Sequence, residues 1–382
     1  MGLIKVNDLK IGMKIGKNVY NKDGVLLLEK NVKITSEKQI EILKTAGIKY
    51  VNTINESINS KKEETTIKEI SATEIALNEI NSKLNQAMEQ IDKVINLTGE
   101  VFDQIIDEDN ITEETAKKTK EIVGNLIEDI ENNQEIFSSI EELKKKDQNL
   151  LHHSVNVTTN IILMGLQLEI PKDKLLQIGT AALLHDIGKL KISNKILTKN
   201  TQLTPEEFEE YKKHVEYSLY YISKMGTIEN LAINLIKTHH EYLDGTGFPK
   251  GIKNIDKISQ LLVITNEYNN LISSNNPSIR VNPVNAISKL SEMAEKKFFQ
   301  EVFISFINTI GVYPVGTLVQ LNNGDVGKVI VQNKKDPKHP KVLIKFDKYR
   351  KLKTKLIDTS LKTRAGSASK YIHYIQKVID IK

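Results

Sequence analysis

Six of the eight histidines in this 382-residue chain lie between positions 152 and 240: His152, His153, His185, His214, His239 and His240. One of them is followed directly by a carboxylate, Asp186. Imidazole nitrogens and carboxylate oxygens together form a donor set for divalent metal, and nitrogen and oxygen donors alone suit Fe, Mn, Zn or Ni. The chain has no cysteine, so thiolate metal sites and disulfides are excluded together. A carboxylate such as Asp186 can bridge two ions, and two ions about 3.5–4 Å apart hold the geometry used for phosphoester hydrolysis.

That chemistry needs imidazoles aimed inward, and helical spacing provides it. Leu150, His153, Val157, Ile161 and Met164 share one stripe; Leu175, Ile178, Ala182 and His185 share another; Leu231, Leu235 and His239 a third. An imidazole in a core needs partners for both ring nitrogens. A metal with an outer acceptor is one solution, and a hydrogen bond to backbone is the other. For a single buried histidine the backbone solution is the commoner, whereas several inward imidazoles joined by Asp186 favour the metal. His152 is one helical step from His153 and is expected to be solvated. His339 and His373 are expected to be ordinary surface residues.

The surrounding chain divides by texture. Residues 1–60 form a small β-containing module: Asp23-Gly24 supplies a turn before Val25–Leu28, and Ser36–Thr45 has helical spacing. The polar run Glu56–Thr66 is expected as a linker. Residues 61–146 are helical and acidic, with apolar positions at Leu77, Ile80, Leu84, Met88, Ile91 and Ile95. Thr112 caps a further helix through Ile122, Leu126 and Ile130. Such a stretch is a packing or dimerisation element, so a homodimer through residues 61–146 is among the expectations. Residues 147–312 are helical again. Residues 313–382 are β-rich, with strands at Thr317–Leu321, Val326–Gln332 and Lys341–Phe346.

Charge follows the same division. Residues 100–147 carry 15 acidic and 6 basic side chains; residues 313–382 carry 16 basic and 5 acidic ones. The basic tail reads first as a solvated surface and second as a contact for an anionic partner; no DNA or RNA polymer is expected among the partners. No apolar run approaches the roughly 20 residues of a membrane helix, and residues 1–10 lack the layout of a signal peptide, so a soluble, cytoplasmic protein is expected.

The order of the motifs is more specific than any one of them. His153-Ser154-Val155-Asn156-Val157 is followed by Leu183-Leu184-His185-Asp186-Ile187-Gly188-Lys189, then Ile196–Lys199, Leu203–Phe208 and Lys213-His214, and finally His239–Pro249. This series resembles the HD-GYP domains, a bacterial branch of the HD phosphohydrolase superfamily. The resemblance implies a mainly α fold, with a helical HD-GYP bundle core between a small α+β N-terminal module and a small β-rich C-terminal appendage. It also implies a metal-dependent phosphodiesterase that converts cyclic di-GMP to pGpG and GMP with hydroxide activated between two divalent transition metal ions, Mn or Fe. His153, His185, Asp186, His214, His239 and His240 would be ligands, with Asp186 as the bridge. Lys189 would face the phosphate. Asp244, Gly245, Gly247, Phe248 and Pro249 would line the substrate site.

The chain departs from the family pattern at several positions. Phe248 replaces the tyrosine that names the family. Asn266 stands where a ligand aspartate is expected, and Asn269 where a second is common. The usual arginine is missing around Asn275, with Arg280 the nearest substitute, and Asn149 replaces the glutamate of three-metal members. Two metals are therefore expected, with Asn266 as a neutral ligand. Two alternatives stand beside the enzyme: a catalytically weakened cyclic di-GMP sensor, and a hydrolase of another nucleotide phosphoester.

Overall fold

The computed structural model describes residues 2–21, 26–54, 60–107, 111–138, 140, 150–273, 279–333, 335–365 and 368–379. Two units are distinguished, Met1–Ala72 and Thr73–Lys382.

In the first unit β1 (Gly2–Lys5), β2 (Lys14–Ile15) and β5 (Tyr50–Ile54) form an antiparallel sheet with β5 in the middle. The strands β3 (Val19–Tyr20) and β4 (Leu26–Leu28) pair separately; the expected Asp23-Gly24 turn lies outside the described residues. Helix α1 (Glu37–Thr45) starts at Ser36, where the Gln39 side chain reaches back to accept from the Ser36 backbone N–H. Leu43 of α1 is buried with Ile15 and Ile34. The run expected as a linker is already helical from Ser60, because α2 spans Ser60–Ile106. Lysine and glutamate are good helix formers, and polarity alone does not break a helix.

In the second unit α3 (Glu113–Phe137) starts at Thr112, whose N–H donates to Thr115 Oγ1 at 3.3 Å. Gln90 on α2 donates to Asp129 on α3 at 2.9 Å. Ile91 and Ile95 of α2 and Ile122, Leu126 and Ile130 of α3 are buried in the same core as the helices that follow, so these positions of the acidic stretch pack within the chain.

Those helices are α4 (Leu150–Gln167), α5 (Lys172–Leu184), α6 (Asn194–Leu197), α7 (Pro205–Lys212), α8 (His214–Met225), α9 (Asn230–Thr238), α10 (Lys257–Ser273), α11 (Pro283–Lys297) and α12 (Gln300–Ile310). Helix α4 packs on α5 and α10, α5 packs on α9, and α8 packs on a 3-10 turn over Ile187–Lys191. Val157, Ile161, Met164, Leu175, Ile178, Ala182 and Leu235 are fully buried, so the three histidine-bearing stripes do face the core.

The C-terminal segment forms a five-stranded antiparallel sheet in the order β12 (Ile375–Val378), β6 (Leu318–Leu321), β7 (Val326–Val331), β8 (Lys341–Phe346) and β9 (Leu352–Asp358). The strands β10 (Lys362–Ala365) and β11 (Ala368–Tyr371) pair as a hairpin. His339 is not the solvated residue expected from its position. Its ring stacks on Tyr371 with centroids 3.6 Å apart, and Nδ1 lies 2.9 Å from Asp336.

Candidate metal centre

Asp186 sits at the end of α5, where the chain tightens into the 3-10 turn, and is completely buried. Its Oδ2 lies 3.2 Å from Nε2 of both His153 and His185; its Oδ1 lies 3.3 Å from Nε2 of His214 and 3.6 Å from that of His239. One carboxylate thus joins four imidazoles from α4, α5, α8 and the end of α9. The donors form two groups that share Asp186: His153, His185 and Asp186 on one side, and Asp186, His214, His239 and His240 on the other.

The tautomers decide what this cluster wants. Nδ1 of His185, His214 and His239 each meets a backbone carbonyl three residues earlier, at Ala182 (2.7 Å), Tyr211 (2.6 Å) and Ile236 (2.6 Å). A carbonyl only accepts, so each Nδ1 carries the proton and each Nε2 presents a bare lone pair. Two of these lone pairs, on His214 and His239, stand 3.3 Å apart, and that of His185 faces an ionised carboxylate. Nε2 of His185, Nε2 of His240 and Oδ1 of Asp186 are buried with no hydrogen-bond partner. Orphaned acceptors at such spacing repel one another and cost free energy, and a cation among them removes both penalties. The residues present therefore fit divalent metal.

The electrostatics agree with the ligand state. Burial pushes the imidazolium form of His214 down to about 3, and burial also lowers His239 and His240. Burial works against the Asp186 charge, but its surroundings outweigh burial, with the Lys189 ammonium donating to Oδ2, and the carboxyl is held well below its usual range. Near neutral pH His214, His239 and His240 are neutral imidazoles beside an ionised carboxylate, the form that binds metal. A histidine whose folded pKa is depressed leaves the unfolded chain with the greater proton affinity. Stability should then fall as pH drops through the window from about 6.5 towards 3. For His214 alone the loss is about 2–3 kcal/mol near pH 4.5. Urea midpoints of metal-stripped protein at neutral and acid pH measure it, and His214→Asn should flatten the dependence.

Gly188 brings the two halves of the cluster together. A Cβ there would lie 2.0 Å from the His214 carbonyl oxygen and 2.4 Å from the Ser218 nitrogen, both backbone atoms. The missing side chain lets the turn after Asp186 lie directly on the start of α8. Ser218 fixes the contact by accepting from the Gly188 N–H (2.9 Å) and donating to the His185 carbonyl (2.8 Å). Gly188→Ala should cost about 3 kcal/mol or more, because backbone cannot rotate away. Its urea midpoint should fall, and metal retention with it.

Asn266, on α10, does reach the cluster: its Oδ1 lies 3.1 Å from His153 Nε2 and accepts from Asn270 at 3.2 Å. Asn269 does not, since its amide donates to the Thr265 carbonyl of its own helix. Asn149 and Asn275 lie outside the described residues. His152 is half-buried.

Beside the cluster opens a cavity of about 1330 Å³, larger than the few hundred to 1,000 Å³ usual for small-molecule sites. His153, His240, Lys189, Tyr211, Phe248 and Glu267 are on its wall. Lys189 Nζ donates to Asp186 Oδ2 and lies 5.5 Å from the Tyr211 ring centre. Burial disfavours its charge, but Asp186 more than compensates and raises its pKa. Phe248 stacks on His240 at 4.2 Å.

The rest of the Gly245–Pro249 loop shapes this wall more than it lines it. A Cβ on Gly247 would meet the His240 carbonyl at 2.4 Å, and Glu241 accepts from the N–H groups of Lys250 and Ile252 at 2.8 and 3.1 Å. Gly245 has φ +79°, Phe248-Pro249 is cis, and Asp244 accepts from the Thr246 N–H and hydroxyl. Arg280 is exposed, and Ile279 lines the cavity in its place. Sequence reasoning missed Tyr211 and Glu267. The signal for Tyr211 was its place three residues before His214, where its carbonyl fixes the ring.

Residues 133–302 match the family model described as HD domain, and residues 3–138 match a domain of unknown function, DUF3391. The chain is 31% identical over 210 residues to the cyclic di-GMP phosphodiesterase PA4108 of Pseudomonas aeruginosa, covering 54% of this chain and 50% of that protein. It is 32% identical over 190 residues to the cyclic di-GMP phosphodiesterase PdeB of Borreliella burgdorferi, covering 49% and 50%. A 3'3'-cGAMP-specific phosphodiesterase of Vibrio cholerae is 32% identical over 165 residues, covering 42% and 35%. The chain thus spans about half the length of the first two relatives. Among solved structures, the HDG"Y"P protein Bd1817 of Bdellovibrio bacteriovorus superposes with a TM-score of 0.51 at 23% identity, covering 80% of this chain and 97% of that one, a likeness of fold.

Proposed function

We propose, on the premise that residues 133–302 are an HD domain of the HD-GYP family, that the chain is a metal-dependent phosphodiesterase acting on cyclic di-GMP. The observation that carries the reading is the set of bare Nε2 lone pairs around Asp186, beside a cavity whose wall includes His153 and His240 and which is roomy enough for two nucleotides. His153, His185 and Asp186 would hold one ion, with Asn266 at its edge. Asp186, His214, His239 and His240 would hold the other. Mn or Fe suits these donors. Divalent metal bound there supplies Lewis acidity and a water acidic enough to attack near neutral pH.

The chain's own residues do the rest. Lys189 keeps its proton and faces the cavity, where it meets the charge gathering on the non-bridging phosphate oxygens. Burial raises the Tyr211 hydroxyl, which stays protonated beside Lys189 as a hydrogen-bond donor. Phe248, packed on His240, offers a ring face without the hydroxyl of the family's tyrosine. Water oxygen bonds to phosphorus, the bond to the 3' oxygen breaks, and that oxygen takes a proton, leaving linear pGpG. A homodimer through residues 61–146 belongs to the same proposal, supported by Ile75 and Ile106, which stand exposed on α2.

The test is product chromatography after incubating protein, prepared without oxygen and loaded with Mn²⁺ or Fe²⁺, with cyclic di-GMP, 3'3'-cGAMP and a base-free phosphodiester. Linear pGpG at a higher rate than the other products supports the assignment; a faster reaction on 3'3'-cGAMP moves it to the other cyclic dinucleotide. A second reading, binding without turnover, draws on Asn266, which brings a neutral oxygen where a charged one would hold metal more firmly. Asn266→Asp should raise metal affinity about tenfold or more, read by competition with a chelator. Unchanged affinity would place residue 266 outside the metal's reach.

A further inference from the structure

The two most exposed large apolar side chains among the described residues, Leu352 at 85% and Tyr349 at 70%, lie three positions apart, far from the histidine cluster in sequence. Both belong to the hairpin joining β8 to β9. Phe346, 42% exposed, is paired with Leu352 across the ladder, so the two side chains leave the same face of the sheet. Solvated hairpin tips are ordinarily polar, and an apolar strip of this size at a tip calls for a covering partner.

The charges around the strip are all but one positive. Lys345, Lys348, Arg350 and Lys351 are exposed and form no ion pair among the described residues. The sole acid of the turn, Asp347, is spent on the backbone: its Oδ1 accepts from the N–H groups of Tyr349 and Lys351, each at 2.9 Å. The next acid, Asp325, is buried and paired with Lys353 at 2.8 Å. Arg350 adopts φ +62°, and the Asp347 and Arg350 backbones close the turn with 2.9 Å bonds. The neighbouring turn at Gly324 comes so close that a Cβ there would lie 2.8 Å from Lys348 Cβ. The tip is braced from beneath and built to hold its shape.

We propose that the β8–β9 hairpin is a docking element for an anionic lipid surface, with Phe346, Tyr349 and Leu352 entering the headgroup boundary and Lys345, Lys348, Arg350 and Lys351 lying over the lipid charges. The most exposed of the three side chains, Leu352, is aliphatic, which favours bilayer over nucleic acid. Single strands are gripped by stacking bases on rings; Phe346 and Tyr349 offer rings, but the most exposed position, Leu352, gives no such platform. Aliphatic and aromatic side chains ringed by cations suit the boundary between headgroups and acyl chains, where one apolar anchor and a basic cluster act together. No helix of the described residues is long and apolar enough to cross a membrane, so attachment of this kind would be peripheral.

The test is co-sedimentation of the full chain with vesicles of phosphatidylcholine alone or with phosphatidylserine added. The protein should pellet with the anionic vesicles, should not pellet with the neutral ones, and should be released as salt is raised. Tyr349→Ser together with Leu352→Ser should lower the partition coefficient about tenfold or more while leaving the melting temperature and sedimentation coefficient of the free protein unchanged. The proposal is overturned if the wild type stays in the supernatant, or if the double variant pellets as well as the wild type. It also fails if the wild type is a dimer that the double variant dissolves, since the strip would then be covered by a second copy. Single-stranded RNA that binds more tightly than the vesicles, and depends on the same two side chains, would overturn it in favour of nucleic acid.

Discussion

On the proposed activity, Asp186→Ala should retain no tightly bound metal and turn over cyclic di-GMP at least about a thousandfold more slowly than the wild type, a loss of about 4 kcal/mol or more in transition-state stabilisation. The size follows from the geometry. A single carboxylate faces His153 and His185 through one oxygen and His214 and His239 through the other, so its removal takes a ligand from both donor groups at once. Alanine also strands the Lys189 ammonium without its partner, and a buried unpaired charge destabilises on its own. Asp186→Asn separates the two effects because it keeps the shape and one oxygen while removing the charge. Elemental analysis, turnover and urea midpoint on both variants read the result. Either variant with wild-type metal and rate would mean that Asp186 bridges nothing.

Lys189→Met should divide the functions differently. Nζ donates to Asp186 and belongs to the cavity wall, so its charge is placed for a phosphate and competes with a cation for the carboxylate. The methionine variant should keep its metal, or hold it more firmly, while turnover falls about 10²–10³-fold from the lost stabilisation of charge in the transition state. Metal content and rate measured on one preparation check the split. A rate within twofold of wild type would assign Lys189 to neutralising Asp186 and nothing else.

Much of this arrangement is legible in the amino-acid sequence, for a definite physical reason. His153, His185 and His239 stand on apolar stripes of period 3.6, and a helix of that period sends its stripe inward whatever its neighbours are. The joining of the stripes at Asp186 follows from motif order, not periodicity. What the sequence hides is contact between elements. Gly188 reads as a residue of a family motif, and only the packed helices show that its absent side chain lets the Asp186 turn touch α8. Ser218 carries no signal at all, being one serine on an amphipathic helix. Asp244 and Arg280 show the converse. Both are polar residues close to the right motif, yet one side chain is spent on its own turn and the other lies exposed. In the basic tail β9 is hidden because Leu352–Asp358 has no clean period of two: the buried Ile357 shares its face with Lys353 and Lys355, while Leu352 lies exposed.

The proposed activity requires that imidazoles from four helical elements share cations through Asp186. Elemental analysis of the full chain purified without oxygen, set beside His185→Ala prepared in the same way, tests it most directly. The wild type should carry close to two equivalents of transition metal that survive gel filtration, and His185→Ala should carry distinctly less. A wild type that is free of metal and still hydrolyses the dinucleotide at full rate, or a His185→Ala protein with unchanged metal content, would contradict it.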